Sequence, residues 1–410
     1  MPADLAVLDL GPLGLPAARA ATAAGIGTVG FLADPGAATE LNAGRPPAGS
    51  PLAAADLRRM LAAGFRATSE AAVLGRVRTA LICAPTPPGA GRAPDLGAVR
   101  AAAGALAPVL RPRTLVVVES AVHPGTTQDI VRPLLERGSG LRAGHDFHLA
   151  HAPGRLDPGS RTFHYANVPR VIGGLTPACT EAAAAFYGRL TDKVVRARGL
   201  REAEAVKLLE TNFRHVNIAL VNEMAVLCHE LNIDLWDVVR CAETKPFGFL
   251  AFRPGPGAGG HAAPGDPGGR LRLVDVARQV NERMPRYVTE RAAALLNEHG
   301  KSVRGAHVLL LGVTYRPDLP DLTGSPAGEI ASRLLGLGAR LTFHDPFTAE
   351  WRVAGRPVAR ADSLHDAVAA ADLTLLLQHH GTYDLQGLAT KAQLLFDTRG
   401  ATPAGAAHRL

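Results

Sequence analysis

The sequence predicts an α/β protein with two doubly wound domains joined by a central long helix and a helical spacer. Three observations carry this. Short apolar runs alternate with helical stretches over the first 200 residues, and the same alternation returns after Arg304. Between them lies one long segment of helical periodicity. The length of 410 residues suits two or three domains, at ~150 residues each. We divide the chain into domains at 1–200, 201–300 and 301–410.

The runs LAVLDL (5–10), TVGFL (28–32), TALICA (79–84), TLVVVES (114–120) and FHLAHAP (147–153) read as buried strands. LGAVRAAAGALAPVL and TTQDIVRPLLE read as helices between them. Strands that are apolar throughout imply a parallel sheet covered on both faces. A helix follows from about Ala203 to Leu231, with Val206, Leu209, Phe213, Val216, Ile218 and Leu220 near helical spacing. The glycine- and proline-rich stretch 246–269 lies amid well-patterned segments, where such loops usually carry function. In the last third, HVLLLGV, RLTFHDP, DLTLLLQ and LLFDTRG read as strands. SPAGEIASRLLGLG reads as a helix with a serine cap and a terminal glycine.

A 47% hydrophobic and 20% charged composition suits a well-cored protein, and no apolar run reaches the ~18 residues of a membrane span. The start lacks a basic region before its apolar stretch and reads as a first strand. Cys83, Cys179, Cys228 and Cys241 are scattered, without disulfide or zinc spacing, which suits a reducing cytoplasm. The formal charge of +7 comes from dispersed arginines rather than a basic arm, so neither a nucleic-acid nor a membrane partner is expected. His145, His148 and His151 sit at spacing three on an expected strand, and His379-His380 are adjacent. Neither pattern puts ligands on one face, so no metal site is expected.

Several segments, in order, resemble one family. ETNFRHVNIALVNEMAVLC, TKPFGFLAFRPGPGAGGH, MPRYV, YRPDLPDLTGSP and FDTRG are similar to the UDP-glucose/GDP-mannose dehydrogenases, nearest the bacterial UDP-N-acetylglucosamine and UDP-N-acetylmannosamine 6-dehydrogenases. The resemblance runs from about residue 5 to 400. It implies two Rossmann-like domains, NAD, a UDP-sugar, a dimer built on the central helix, and oxidation of a sugar C6 alcohol to a carboxylate through a cysteine thioester.

Several positions depart from the family pattern. The family motif G-L-G-Y-V-G-L-P becomes Asp9-Leu-Gly11-Pro-Leu-Gly14-Leu-Pro16, which keeps Gly11 and Gly14 but puts a carboxylate near an expected pyrophosphate. The ribose acid at the end of the second strand is Leu32, with Asp34 two residues on. We therefore expect no tightly bound cofactor, NAD entering by resemblance only. The family's G-G-H-C is Gly259-Gly260-His261-Ala262, and a methyl group cannot act as a nucleophile. The family glutamate is Gly154, the E-S-T threonine is Ala121, the substrate arginine is Thr323, and the K-P-D lysine is Arg316.

By the same resemblance Lys207, Asn212 and Asp266 are retained catalytic remnants, although strict register gives Thr211 for the asparagine. Phe247, Gly257, Gly259, Gly260, His261 and Arg316 are the substrate-binding candidates. The expectation is a homodimeric family member, inactive in NAD-dependent oxidation, that binds a UDP-sugar or partners an active paralogue. Altered or redox-neutral nucleotide-sugar chemistry, and an active NAD-dependent UDP-N-acetylhexosamine 6-dehydrogenase, are the alternatives.

Overall fold

The protein is described from a computed structural model, which covers residues 3–47, 50, 52–87, 89, 94–156, 160, 162–258 and 271–410. Gly259, Gly260, His261, Ala262 and Asp266 lie outside the described residues. The chain forms two compact units that divide between Thr211 and Asn212.

In the first unit the strands are β1 (Leu5–Leu8), β2 (Thr28–Phe31), β3 (Arg66–Thr68), β4 (Thr79–Ile82), β5 (Leu115–Val118), β6 (His148–His151), β7 (Arg170–Gly174) and β8 (Val194–Arg196). They form one sheet in the order β3-β2-β1-β4-β5-β6-β7-β8, parallel except for β6 against β7. The first six follow the order of dinucleotide-binding sheets, with the reversal of winding beside β1. The helices are α1 (Gly14–Ala23), α2 (Pro35–Asn42), α3 (Ala54–Ala62), α4 (Gly97–Leu106), α5 (Arg132–Ser139) and α6 (Pro177–Tyr187). Every residue of β1, β2, β4 and β5 is buried, because helices cover both faces of the sheet. Leu5, Val7 and Leu81 pack into one core, and Ala6, Leu8 and Ile82 into the other.

The helix α7 (Leu200–Glu230) extends three residues before its expected start. The helices α8 (Leu235–Ala242) and α9 (Arg272–Glu298) follow. The second sheet contains β9 (His307–Leu311), β10 (Arg340–His344), β11 (Trp351–Val353), β12 (Arg356–Arg360), β13 (Leu373–Leu376), β14 (Leu395–Asp397) and β15 (His408–Arg409). Its order is β11-β12-β10-β9-β13-β14-β15, parallel apart from the β11–β12 hairpin. The helices α10 (Ala327–Gly336), α11 (Leu364–Ala370) and α12 (Leu385–Lys391) accompany it. The expected serine cap is displaced by one residue. Pro326 holds the cap position of α10, and Ser325 Oγ accepts the Ala327 N–H at 3.3 Å. Among the described residues no helix is long and apolar enough to cross a membrane.

Candidate functional site

The first unit positions a dinucleotide-type turn after β1. Asp9 donates its N–H to Phe31 O at 3.0 Å and takes a left-handed φ of +73°. Asp9 Oδ1 accepts the Gly11 N–H at 2.9 Å. A Cβ on Gly14 would lie 1.9 Å from Asp9 O, so the turn requires glycine there. α1 starts at Gly14, and its cap residue Leu13 offers no side-chain hydrogen bond. Gly11, Gly14 and the start of α1 keep the form of a pyrophosphate-binding turn, although the Leu15 N–H donates to Gly11 O at 3.1 Å, Pro16 has no N–H, and the Gly11 N–H is held by Asp9. Burial raises the Asp9 pKa, and the Gly11 hydrogen bond opposes the rise.

Leu32, half-buried, packs against the core beside β2. Asp34 caps α2 by accepting the Gly36 N–H at 2.8 Å and is exposed, so its carboxylate supports local structure.

At the far end of β5, Glu119 is 1% exposed. It pairs with Arg170 and accepts the hydroxyls of Tyr165 at 2.8 Å and Tyr187 at 2.6 Å. Arg170 also lies over the Tyr165 ring, 4.5 Å from its centroid. This buried cluster has no local sequence signal: Arg170 follows an unremarkable Val-Pro pair. Gly154 donates its N–H to Glu119 O at 3.1 Å. A Cβ on Gly154 would come 2.5 Å from Leu13 Cδ2, so that leucine crowds the space next to Gly154. The expectation that His145 shares a strand with His148 and His151 fails. His145 precedes β6 and bonds the Asp146 carboxylate at 2.7 Å.

Lys207 is half-buried on α7. Asn212 is 8% exposed, and its Oδ1 has no hydrogen-bond partner among the described residues. A buried amide oxygen in that state is suited to receive a ligand or a water. Thr211, the strict-register residue, is also buried.

Within the second unit, Asn222 Oδ1 accepts the Gly255 N–H at 2.9 Å, and Asn222 Nδ2 donates to Asn281 Oδ1 at 2.9 Å. Tyr315 donates its hydroxyl to Ala258 O at 3.0 Å. Gly255 and Ala258 are thus held from α7 and from the loop after β9. A Cβ on Gly257 would meet Pro326 Cβ at 3.3 Å. Phe247 is 70% exposed, its ring centroid 5.1 Å from Lys245 Nζ.

Arg316 Nε lies 3.6 Å from Asp321 Oδ2, and Thr323 donates its N–H to Asp321 Oδ1 at 3.0 Å. The same loop is anchored by His380, which is fully buried just beyond β13. Asp318 N–H donates to His380 Nδ1 at 3.0 Å, which leaves Nε2–H to donate to Asp345 Oδ2 at 3.1 Å. Asp345 also accepts the Val313 and Thr314 N–H groups. The adjacent-histidine reading missed this role because His380 lies beyond the strand, and its partner is 35 residues away.

Family models match along the whole chain. Residues 3–191 match the NAD binding domain of the UDP-glucose/GDP-mannose dehydrogenase family, 201–292 its central domain and 309–404 its UDP binding domain. A UDP-N-acetyl-D-glucosamine 6-dehydrogenase from Salmonella typhi is 30% identical over 82% of this chain and 83% of its own length. A UDP-N-acetyl-D-mannosamine dehydrogenase from Pyrococcus horikoshii is 31% identical over 92% of this chain and 89% of its own. The structure of a UDP-glucose dehydrogenase from Pyrobaculum islandicum superposes with a TM-score of 0.88 at 28% identity, covering 100% of this chain and 97% of that one.

These findings correct the expectation that no cofactor binds. The NAD binding model spans the domain that contains Asp9 and Leu32, and NAD is the expected cofactor. Two substitutions in the motif do not undo a fold whose turn, Gly11, Gly14 and helix end are retained. With its NAD binding, central and UDP binding segments in order, the chain belongs to the UDP-glucose/GDP-mannose dehydrogenase family.

Proposed function

We propose that the protein is an NAD-dependent oxidoreductase acting at C6 of a UDP-N-acetylhexosamine, by hydride transfer without an acyl-enzyme. The observation that carries this reading is the ordered match of NAD binding, central and UDP binding segments, with relatives named for such sugars. The division into 1–200, 201–300 and 301–410 assigns the dinucleotide to the first domain and the UDP group to the third. NAD, when bound, supplies the hydride acceptor.

The chain's own residues then orient the sugar. Asn212 offers a buried amide oxygen without a partner among the described residues, and Lys207 lies on the same helix. Arg316 offers a guanidinium to a diphosphate. The Asn222–Gly255 and Tyr315–Ala258 bonds fix the loop that leads towards Gly259, Gly260 and His261. By the family resemblance Asp266 takes the proton-transfer role. Ala262 has no thiol, so no thioester forms at that position and the C6 alcohol stops at the aldehyde level. A dimer built on α7 completes the reading, on the evidence of its exposed apolar side chains.

Stoichiometry is the test. UDP-N-acetylglucosamine and UDP-N-acetylmannosamine are incubated with NAD, and NADH is measured against sugar consumed. One NADH per sugar is the expected outcome. Two would show that full oxidation proceeds without the thiol. A second reading, a silent binder or partner of an active paralogue, is favoured by Ala121, Gly154 and Thr323, each lacking the family's polar group. It predicts that UDP-sugar and NAD bind while no NADH forms.

A further inference from the structure

The turn after β1 contains a feature that a dinucleotide-binding loop does not need. At position 9 a glycine would adopt φ +73° at no steric cost, yet the chain has an aspartate there. The Asp9 carboxylate folds back onto the loop and accepts the Gly11 N–H at 2.9 Å. A Cβ on Gly11 would lie 3.1 Å from Asp9 Oδ1, which places the carboxylate against the face of that glycine. Beside it, α1 begins with no side-chain cap. Loops of this kind present amides to the pyrophosphate of a bound dinucleotide. In this chain a side-chain anion already holds one of them.

We propose that Asp9 sets the dinucleotide affinity of the first domain by acting as an internal anion that a bound pyrophosphate must displace. The proposal rests on the reading that NAD binds in this domain. The carboxylate opposes the ligand in two ways: it occupies the Gly11 amide, and it places negative charge next to the phosphates. At contact distance in a partly buried site such repulsion is worth an order of magnitude in affinity or more. The raised Asp9 pKa agrees with a carboxylate held away from water.

Two variants separate the two effects. Asp9→Gly removes both charge and occupancy, and glycine suits the left-handed φ. Asp9→Asn keeps an oxygen for the Gly11 N–H, tolerates that φ, and removes only the charge. NAD is titrated calorimetrically into the wild-type protein and both variants, each checked for folding by thermal melting. The expected result is that Asp9→Gly binds NAD at least about tenfold more tightly than wild type, with Asp9→Asn between. An Asp9→Gly affinity equal to or weaker than wild type overturns the role of Asp9 and leaves NAD binding intact. Folded wild type and variants that all fail to bind NAD at millimolar concentration overturn the cofactor reading itself, and this proposal with it.

Discussion

Burial fixes the charge state of His151, and a pH dependence follows. The ring is fully buried in β6, with Nδ1 3.4 Å from Thr127 Oγ1, and burial, aided by nearby Arg170, lowers its pKa to about 3. Above the ordinary value of 6.5 both folded and unfolded states hold it neutral. As pH falls below 6.5 the unfolded chain takes a proton that the folded protein refuses, so stability declines until the folded pKa is reached. We expect this residue alone to cost ~2 kcal/mol between pH 7 and 5. Chemical denaturation at the two pH values checks it, since His151→Asn flattens the dependence relative to wild type. Glu119 lies in the core against Arg170, Tyr165 and Tyr187. Glu119→Gln leaves Arg170 charged and buried without a counter-ion, which destabilises by roughly 3 kcal/mol. Urea unfolding measures it. Breaking the exposed Arg196–Glu181 pair in the same experiment leaves stability near wild type.

Among the elements, α7 shows most directly what a single chain leaves unfinished. Phe213, Leu220 and Leu227 recur at seven-residue spacing, which puts them on one face, and they are 47%, 57% and 46% exposed. A stripe of this kind on a long helix calls for a further packing partner, and in the proposed dimer a two-fold related copy would supply one. Sedimentation of the wild type at micromolar concentration is expected to give a dimer, and Leu220→Glu a monomer. A wild-type monomer would remove the dimer reading. On its other side α7 is tied inward through Asn222, which meets both Asn281 of α9 and Gly255. Each amide in that ladder satisfies another, as buried polar groups require.

At the scale of the molecule, the sequence exposed most of the architecture because covered parallel strands must be apolar throughout. β1, β2, β4, β5 and β6 each fall inside a run read as a strand. β3 and β8 were not legible: they are three-residue edge strands with exposed positions and no apolar run. The β11–β12 hairpin was missed because most of β12 faces solvent. The sequence by itself determined the order of the family motifs and the absence of a thiol at 262, since a nucleophile is a matter of which atom is present. It also identified Asp9 as an acid in a glycine motif. Only the tertiary structure decided what that acid does, because the Gly11 bond depends on a left-handed turn that composition does not reveal. The same holds for Glu119 with Arg170 and for Asp345 with His380. Partners far apart in sequence leave no local period, and they are selected by the cost of burying a polar group alone.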